Sequence, residues 1–485
     1  MASLGSIALI KGCRKTEVLF PESSPEPKPV IAFRNISWKD IYTKEVHDYY
    51  DRIIPNENSF DKKVYIDPEY NGRDSDGSIE KPFLSLLDIT GAEDTAFLIK
   101  RGTTHSIDTG VGNKRVQRNS NMMFGAYGEG GRPNITGVPL ELRGENNVVR
   151  DISWTDGSSV FFGTWGSGGG DGGIMFNCVV ESRNGLAIWG RNNKVIGCSI
   201  SGSNSNGIWL QQRDPSQDSE VEFAYNHIFE VNKGWFDPTR NPNSWGDGIQ
   251  ICTFRGHFHV HHNLINRSDT GNKFCFICNV LNDFDLDVTG TLENNVFIGP
   301  KNHPSGGNII YLEGNQRPFR LITIRNNVLI GTYDDYSDSW TGGAIVVREA
   351  RVEVYGNIIK DVRIALDRSS DVGGDSYFYN NTVLDIKSNN IILAPLAGVH
   401  NNIFPWSYSG GDSNANNISL INKGNEPEDI FKDEKMEDYR LKKESPAISG
   451  GMWQNYMNKK WTKDLLGNNV PQNNNINIGA IMNSS

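Results

Sequence analysis

Between roughly residues 140 and 405, short apolar stretches alternate with polar turns, and within each stretch apolar positions recur with a period of two. That period marks β-strands, whose successive side chains point to opposite faces. One stretch is written almost identically several times: EFAYNHIFE, FHVHHNLIN, TLENNVFIG, TIRNNVLIG, EVYGNIIKD and YFYNNTVLD. Each sets an asparagine (Asn226, Asn263, Asn295, Asn327, Asn357, Asn381) just before two mostly apolar residues, and GVHNNIFPW puts Asn402 in the same slot. Upstream, Cys198, Cys178 and Asp151 are read into that slot. The copies follow one another at intervals of 20 to 37 residues. Such a repeat predicts a solenoid of about ten or more coils, each of three short strands. An inward asparagine at the turn between the second and third strands can bond to its copies one coil up and one coil down. It thereby satisfies buried turn amides that would otherwise stay unpaired.

The same alternation sorts the strands GLAIWG, GIWLQQ, GIQICT, KFCFIC, IIYLEG, AIVVRE and RIALDR. Leu186, Ile188, Ile208, Leu210, Ile249, Ile251, Phe274, Phe276, Ile310, Leu312, Ile345, Val347, Ile364 and Leu366 form the expected inward set. The outward set is Trp189, Trp209, Gln211, Gln250, Lys273, Tyr311, Glu313, Arg348, Arg363 and Asp367. A slip by one residue would bury Lys273 and Arg348, at high cost in desolvation. Long insertions precede these strands: Asn226 to Asp247 takes 21 residues, Cys178 to Asn184 only 6. In solenoids insertions gather on the binding face. A groove for extended carbohydrate is expected there, with Trp189, Trp209, Gln211, Gln250, Tyr311 and Trp245 as substrate-binding residues. Aromatic faces stack on sugar rings, while amides and charges meet hydroxyls and carboxylates.

The chain has 485 residues, too long for one compact core but ordinary for a solenoid. With 51 glycines against 20 prolines and few helical periods, it reads as all-β. A net charge of −10 argues against nucleic acid as a partner, and a monomer is expected. The six cysteines do not form a disulfide framework; Cys178 and Cys198 share the repeat slot as stacked buried thiols. Cys275 and Cys278 have metal-like spacing, but on one strand they would face opposite ways. His257, His259 and His261 share a strand face and read as hydrogen-bonded rather than metal-ligating. Residues 37–53, with Ile41, Val46, Tyr49, Tyr50 and Ile53 at helical spacing, predict a helix covering one end of the stack. The preceding FPESSPEPKPV reads as an extended tether, so residues 14–60 form a tether and capping helix.

The asparagine coils, the leading VYIDPEYNGRDSDGSIEKPF and the closing DYRLKKESPAISGG and INIGAI resemble the pectate-lyase-like superfamily over roughly residues 62–485. The resemblance implies a right-handed parallel β-helix over residues 61–485, with a C-terminal cap from about 406. That superfamily includes pectate, alginate and chondroitin B lyases together with several glycosidases, so the reaction must be argued from the site. At the start, MASLGSIALIKGCRK (residues 1–13 above all) resembles a truncated bacterial lipoprotein signal with Cys13 as the lipidated residue. This implies an exported protein, either anchored at the outer membrane or cell surface or held in the periplasm.

Three functions fit such a groove. The leading expectation is a lyase that cleaves a uronic-acid polysaccharide by β-elimination, which needs a cation on the C6 carboxylate and a base for the C5 proton. Lys273 is the candidate base, in the kind of location where the superfamily's lyases carry Lys or Arg, and Arg348 or Arg267 would neutralise the carboxylate. The alternative is a glycoside hydrolase using two carboxyls from Asp247, Asp269 and Glu313. The same three oxygen donors could converge on calcium, which the superfamily's lyases often use. A non-catalytic glycan-binding surface protein is the third reading.

Overall fold

In the computed structural model, the described residues are 36–89, 92–107, 115–164, 168–212, 214–231, 246–267, 274–280, 287–299, 307–314, 319–331, 342–368, 375–388, 390–393, 396–406, 416–420, 426–435, 437–454, 457, 461–472 and 476–482. Three long sheets run the length of the stack, and every pairing described within them is parallel. Sheet A has 13 strands, from Lys62–Ile66 to Gly398–His400; sheet B has 13, from Thr104–Ile107 to Ile418–Ser419; sheet C has 11, from Arg115–Gln117 to Ile392–Leu393. The chain visits them in the order A, B, C. In one coil it passes through Ser219–Ala224 (A), His227–Phe229 (B) and Ile249–Cys252 (C), then returns to A at Gly256–His261. Crossovers between parallel neighbours are right-handed almost without exception, which gives the β-helix its hand. Apolar side chains from all three sheets fill the axis, among them Phe97, Phe124, Trp154, Phe162, Phe223, Phe258 and Phe276.

The A–B turn explains the repeated motif. Its second residue is the ladder asparagine. The backbone N–H of Asn226 donates to Asn263 Oδ1 at 2.9 Å, Asn263 to Asn295 at 3.0 Å, Asn295 to Asn327 at 3.0 Å and Asn327 to Asn357 at 2.9 Å. The ladder continues through Asn381 and Asn402 to Asn417, one rung beyond the predicted end. Cys198 and Cys178 continue the column below Asn226, both fully buried. The first residue of the turn has left-handed backbone, as at Asn177, Asn294, Asn326, Asn380 and Asn401. Asn tolerates that region and Gly adopts it without penalty, which is why Asn or Gly so often precedes the ladder residue. Asp151 belongs to this first position, with φ +61. The ladder slot of its coil is held by buried Ile152, whose carbonyl accepts from Val179 N. Asp151 is therefore one residue out of the predicted register.

The predicted helix exists as two, α1 (Trp38–Ile41) and α2 (Lys44–Ile53), broken where Thr43 caps α2. Instead of covering an end, they lie along the A–B corner. Val46 and Tyr50 are buried against Phe176, Ile196, Ala224 and Tyr225, and Trp38 Nε1 donates to Tyr225 O at 2.7 Å. Tyr42 presses onto Gly197, where a Cβ would come within 2.3 Å of its ring. The C-terminal part does likewise for later coils. After Ile418–Ser419 and a small antiparallel hairpin (Phe431–Asp433 with Asp438–Leu441), it runs back along the same corner. There Trp461 is fully buried against Tyr355 and Tyr379, and Asn380 and Asn401 bond to the carbonyls of Asn477 and Met452. The expected terminal cap is thus a flanking strap. Among the described residues, both straps pack against sheets A and B rather than sheet C. No helix among the described residues is long and apolar enough to cross a membrane.

Candidate functional site on the outer face of sheet C

Register along sheet C assigns each side chain to a face. Leu210, Ile251, Cys278, Leu312 and Val347 are paired in one column, and all lie in the core. The neighbouring outward column reads Phe161, Ala187, Trp209, Gln250, Ile277, Tyr311, Val346, Asp367. Two residues along each strand, Gln211, Cys252, Asn279, Glu313 and Arg348 form a second outward column. The expected outward positions of Trp209, Gln211, Gln250, Tyr311, Glu313, Arg348 and Asp367 therefore share one face.

That face has an aromatic end and a charged end. In the earlier coils Phe161, Trp189 and Trp209 pack edge to face, with centroids 5.5 Å and 6.0 Å apart. Trp189 is almost wholly covered, as are Ile277 and Val346 further along, whereas Trp209, Gln250, Tyr311 and Asp367 are half-buried. Next comes an amide patch: Asn206 Nδ2 donates to Gln250 Oε1 at 2.5 Å, and Gln250 Nε2 lies 3.5 Å from Asn279 Oδ1. At the charged end, Arg348 presents its fork to Asp367, with Nη1–Oδ1 at 3.4 Å and Nη2–Oδ2 at 3.3 Å. Both side chains are about one-fifth exposed, 18% and 20%. Burial, reinforced by the Glu313 charge, pushes the Tyr311 phenol up to about 12, so it stays a hydrogen-bond donor.

Phe274 departs from the expected inward set. It stacks on Tyr311 with centroids 4.9 Å apart, while Cys275 takes the core position at the B–C corner. Ile309, Ala344 and Ala365 enter the core at the same corner. Where the chain turns from B into C, consecutive residues both face inward and strict alternation breaks. For the same reason Cys275 and Cys278 are both buried, rather than on opposite faces.

Two other described candidates, Arg267 and Asp247, lie off this face. Arg267 is fully buried at the B–C corner, where Nη2 donates to Gly246 O at 2.7 Å and burial pulls its pKa down to about 10. It has no access to the groove. Asp247 is also buried, its N–H bonded to Asn206 Oδ1 at 2.9 Å in the turn column. Lys273, Asp269, Trp245 and Cys13 lie outside the described residues. Of the two described oxygen donors expected for calcium, Glu313 stands on the outer face and Asp247 is buried in the turn column. The three histidines have separate partners on sheet A: His257 with Thr289 at 2.9 Å, His259 with Glu293 at 2.7 Å and His261 with Glu222 at 3.2 Å. Among the described residues no group of three or more His, Cys, Asp or Glu is arranged to hold a metal. Phe274 was missed as a member of the face because alternation breaks at the corner, and Asn279 because it lies one residue beyond the stretch KFCFIC, although it obeys the alternation.

No family profile matches the chain, and no curated protein does. Solved structures do. A pectate lyase is 16% identical, with 87% of this chain and 96% of that chain covered at a TM-score of 0.47. A rhamnogalacturonan lyase is 12% identical, with 79% and 97% covered at 0.44. A lacto-N-biosidase from Eubacterium ramulus is 11% identical, with 73% and 71% covered at 0.40. What they share with this chain is the coiled architecture. Residue roles do not transfer at such identities.

Proposed function

We propose that the outer face of sheet C binds an extended, uronic-acid-containing polysaccharide and cleaves it by β-elimination. The observation that carries this reading is Arg348: a partly buried guanidinium on the outer face of sheet C, already oriented on a planar carboxylate. In a complex, the C6 carboxylate of the substrate would take the place of Asp367 on that fork. Neutralising it acidifies the C5 proton. A base, for which Lys273 remains the candidate, removes that proton; its electrons form the C4–C5 double bond, and the C4–O bond breaks with protonation of the leaving oxygen. Trp209 and Tyr311 would supply stacking surface. The coils between them, spaced about 4.8 Å apart, match the length of several sugars.

One observation favours glycoside hydrolysis as a second reading: Glu313 and Asp367 are two carboxyls on the same face with Arg348 at hand. A panel of acidic and neutral polysaccharides separates the two. Unsaturated, ultraviolet-absorbing ends signify elimination; new reducing ends without that absorbance signify hydrolysis; binding with neither overturns both.

A further inference from the structure

Helix α2 roofs a cleft of about 610 Å3 at the A–B corner, across the coil from sheet C. Three arginines line it, and their situations differ. Arg150 is neutralised, bonded to Asp51, to Asp151 at 3.2 Å and to Pro55 O at 3.2 Å. Arg132 spends Nε and Nη2 on Asn177, at 3.0 Å and 2.6 Å, and has no carboxylate partner among the described residues. The Arg101 side chain makes no hydrogen bond or ion pair among the described residues, although it lines the same cleft. Two guanidiniums without carboxylate partners are thus held in one concave space, the arrangement that a planar carboxylate satisfies.

The remaining lining is of the opposite kind. Asp51, Glu57 and Asp151 bring acceptor oxygens into the cleft. A compact inorganic anion would be repelled by them, whereas hydroxyl groups would donate to them. We propose that this cleft binds a single uronic acid unit, with its carboxylate on Arg101 and Arg132 and its hydroxyls on Asp51 and Glu57. The site is separate from the groove, and its occupancy does not require that the groove cleave anything.

Calorimetric titration of the full chain with galacturonate, galactose and sulfate tests the assignment. Galacturonate should bind at the cleft, with galactose and sulfate at least tenfold weaker. Arg101→Gln, which removes no bond from the fold, should weaken galacturonate at least tenfold, and Arg348→Gln should leave the cleft's binding unchanged. Gly131→Phe gives a second variant, because a Cβ at that lining residue meets nothing within 4 Å; the ring should fill the cleft and abolish binding, with circular dichroism unchanged. Equal binding of galactose or sulfate, or unaltered binding by Arg101→Gln and Gly131→Phe, overturns the proposal. Loss in Arg348→Gln alone would place the sugar in the groove, overturning the cleft site and leaving the groove reading intact.

Discussion

Glu222 and His261 face each other across neighbouring coils of sheet A, with Oε1 of the carboxylate 3.2 Å from imidazole Nε2. The same carboxylate accepts from Lys194 Nζ at 2.8 Å and from Tyr50 of α2 at 3.3 Å, so it joins the helix to the stack. Burial opposes its charge, but the bond from His261 and the Lys194 ammonium outweigh that and hold the carboxyl well below its usual range. Burial, followed by the His259 charge, pushes His261 down. Burial likewise lowers His105 and His227 from 6.5 to about 4.

Acid should therefore loosen the fold through these groups together. Histidines with depressed pKa values contribute stability that is fully present above 6.5 and is lost as pH falls towards 4. Glu222 adds a loss below its unfolded range. Each fully depressed histidine accounts for at most about 3 kcal/mol. Thermal unfolding at pH 7, 5.5 and 4 should show a falling Tm, with most of the fall below 6.5. A flat profile would contradict it. His227→Gln should flatten part of the slope.

Asn295 tests the ladder. Replacing it with alanine removes the acceptor for the Asn263 N–H and the donor to Val260 O, leaving both buried without a partner. Unsatisfied buried groups cost about 1–3 kcal/mol each. Denaturant unfolding should show a loss of roughly 2–5 kcal/mol; a loss below about 1 would mean that water replaces the side chain.

Trp461 anchors the C-terminal strap. Trp461→Ala should cost about 3–5 kcal/mol, and limited proteolysis should cut residues 440–482 before the coils. Simultaneous loss of strap and coils would instead show one cooperative unit.

Arg348 and Asp367 separate the two chemistries. Arg348→Ala should lower kcat/KM by two to three orders of magnitude, about 3–4 kcal/mol of transition-state stabilisation, with stability changed by less than about 1 kcal/mol. Asp367→Asn should leave a lyase active, since it merely releases the guanidinium, but should abolish a hydrolase that uses Asp367 as acid or base. Product absorbance and reducing ends, measured on each variant, decide between them.

The repeats were legible because burial writes itself as period and position: the asparagine column from Asn226 to Asn402 and the inward faces of the strands were readable from spacing alone. Asp151 was misplaced because Asp suits the left-handed turn residue as well as the ladder, and hydrophobic Ile152 filled the slot without an amide to mark it. Phe274 was misassigned because alternation holds along a strand but not round a corner. Arg267 and Asp247 looked available since polar residues beside long insertions resemble surface, yet both are folded under the turn. The straps were visible as a helix and a tail, but their docking site depends on side chains such as Tyr225 and Asn380, far away in sequence.

The two straps also bear on how the protein comes apart. A bare solenoid resembles a zipper, each coil holding only its neighbours, so fraying can begin at either end and run inward. Here α2 clips the coils near residues 150–225 together, and the C-terminal segment does so near 326–401. Pulled from its ends, the molecule should hold as two reinforced blocks and give way first near the rungs of Asn263 and Asn295, midway between the two straps.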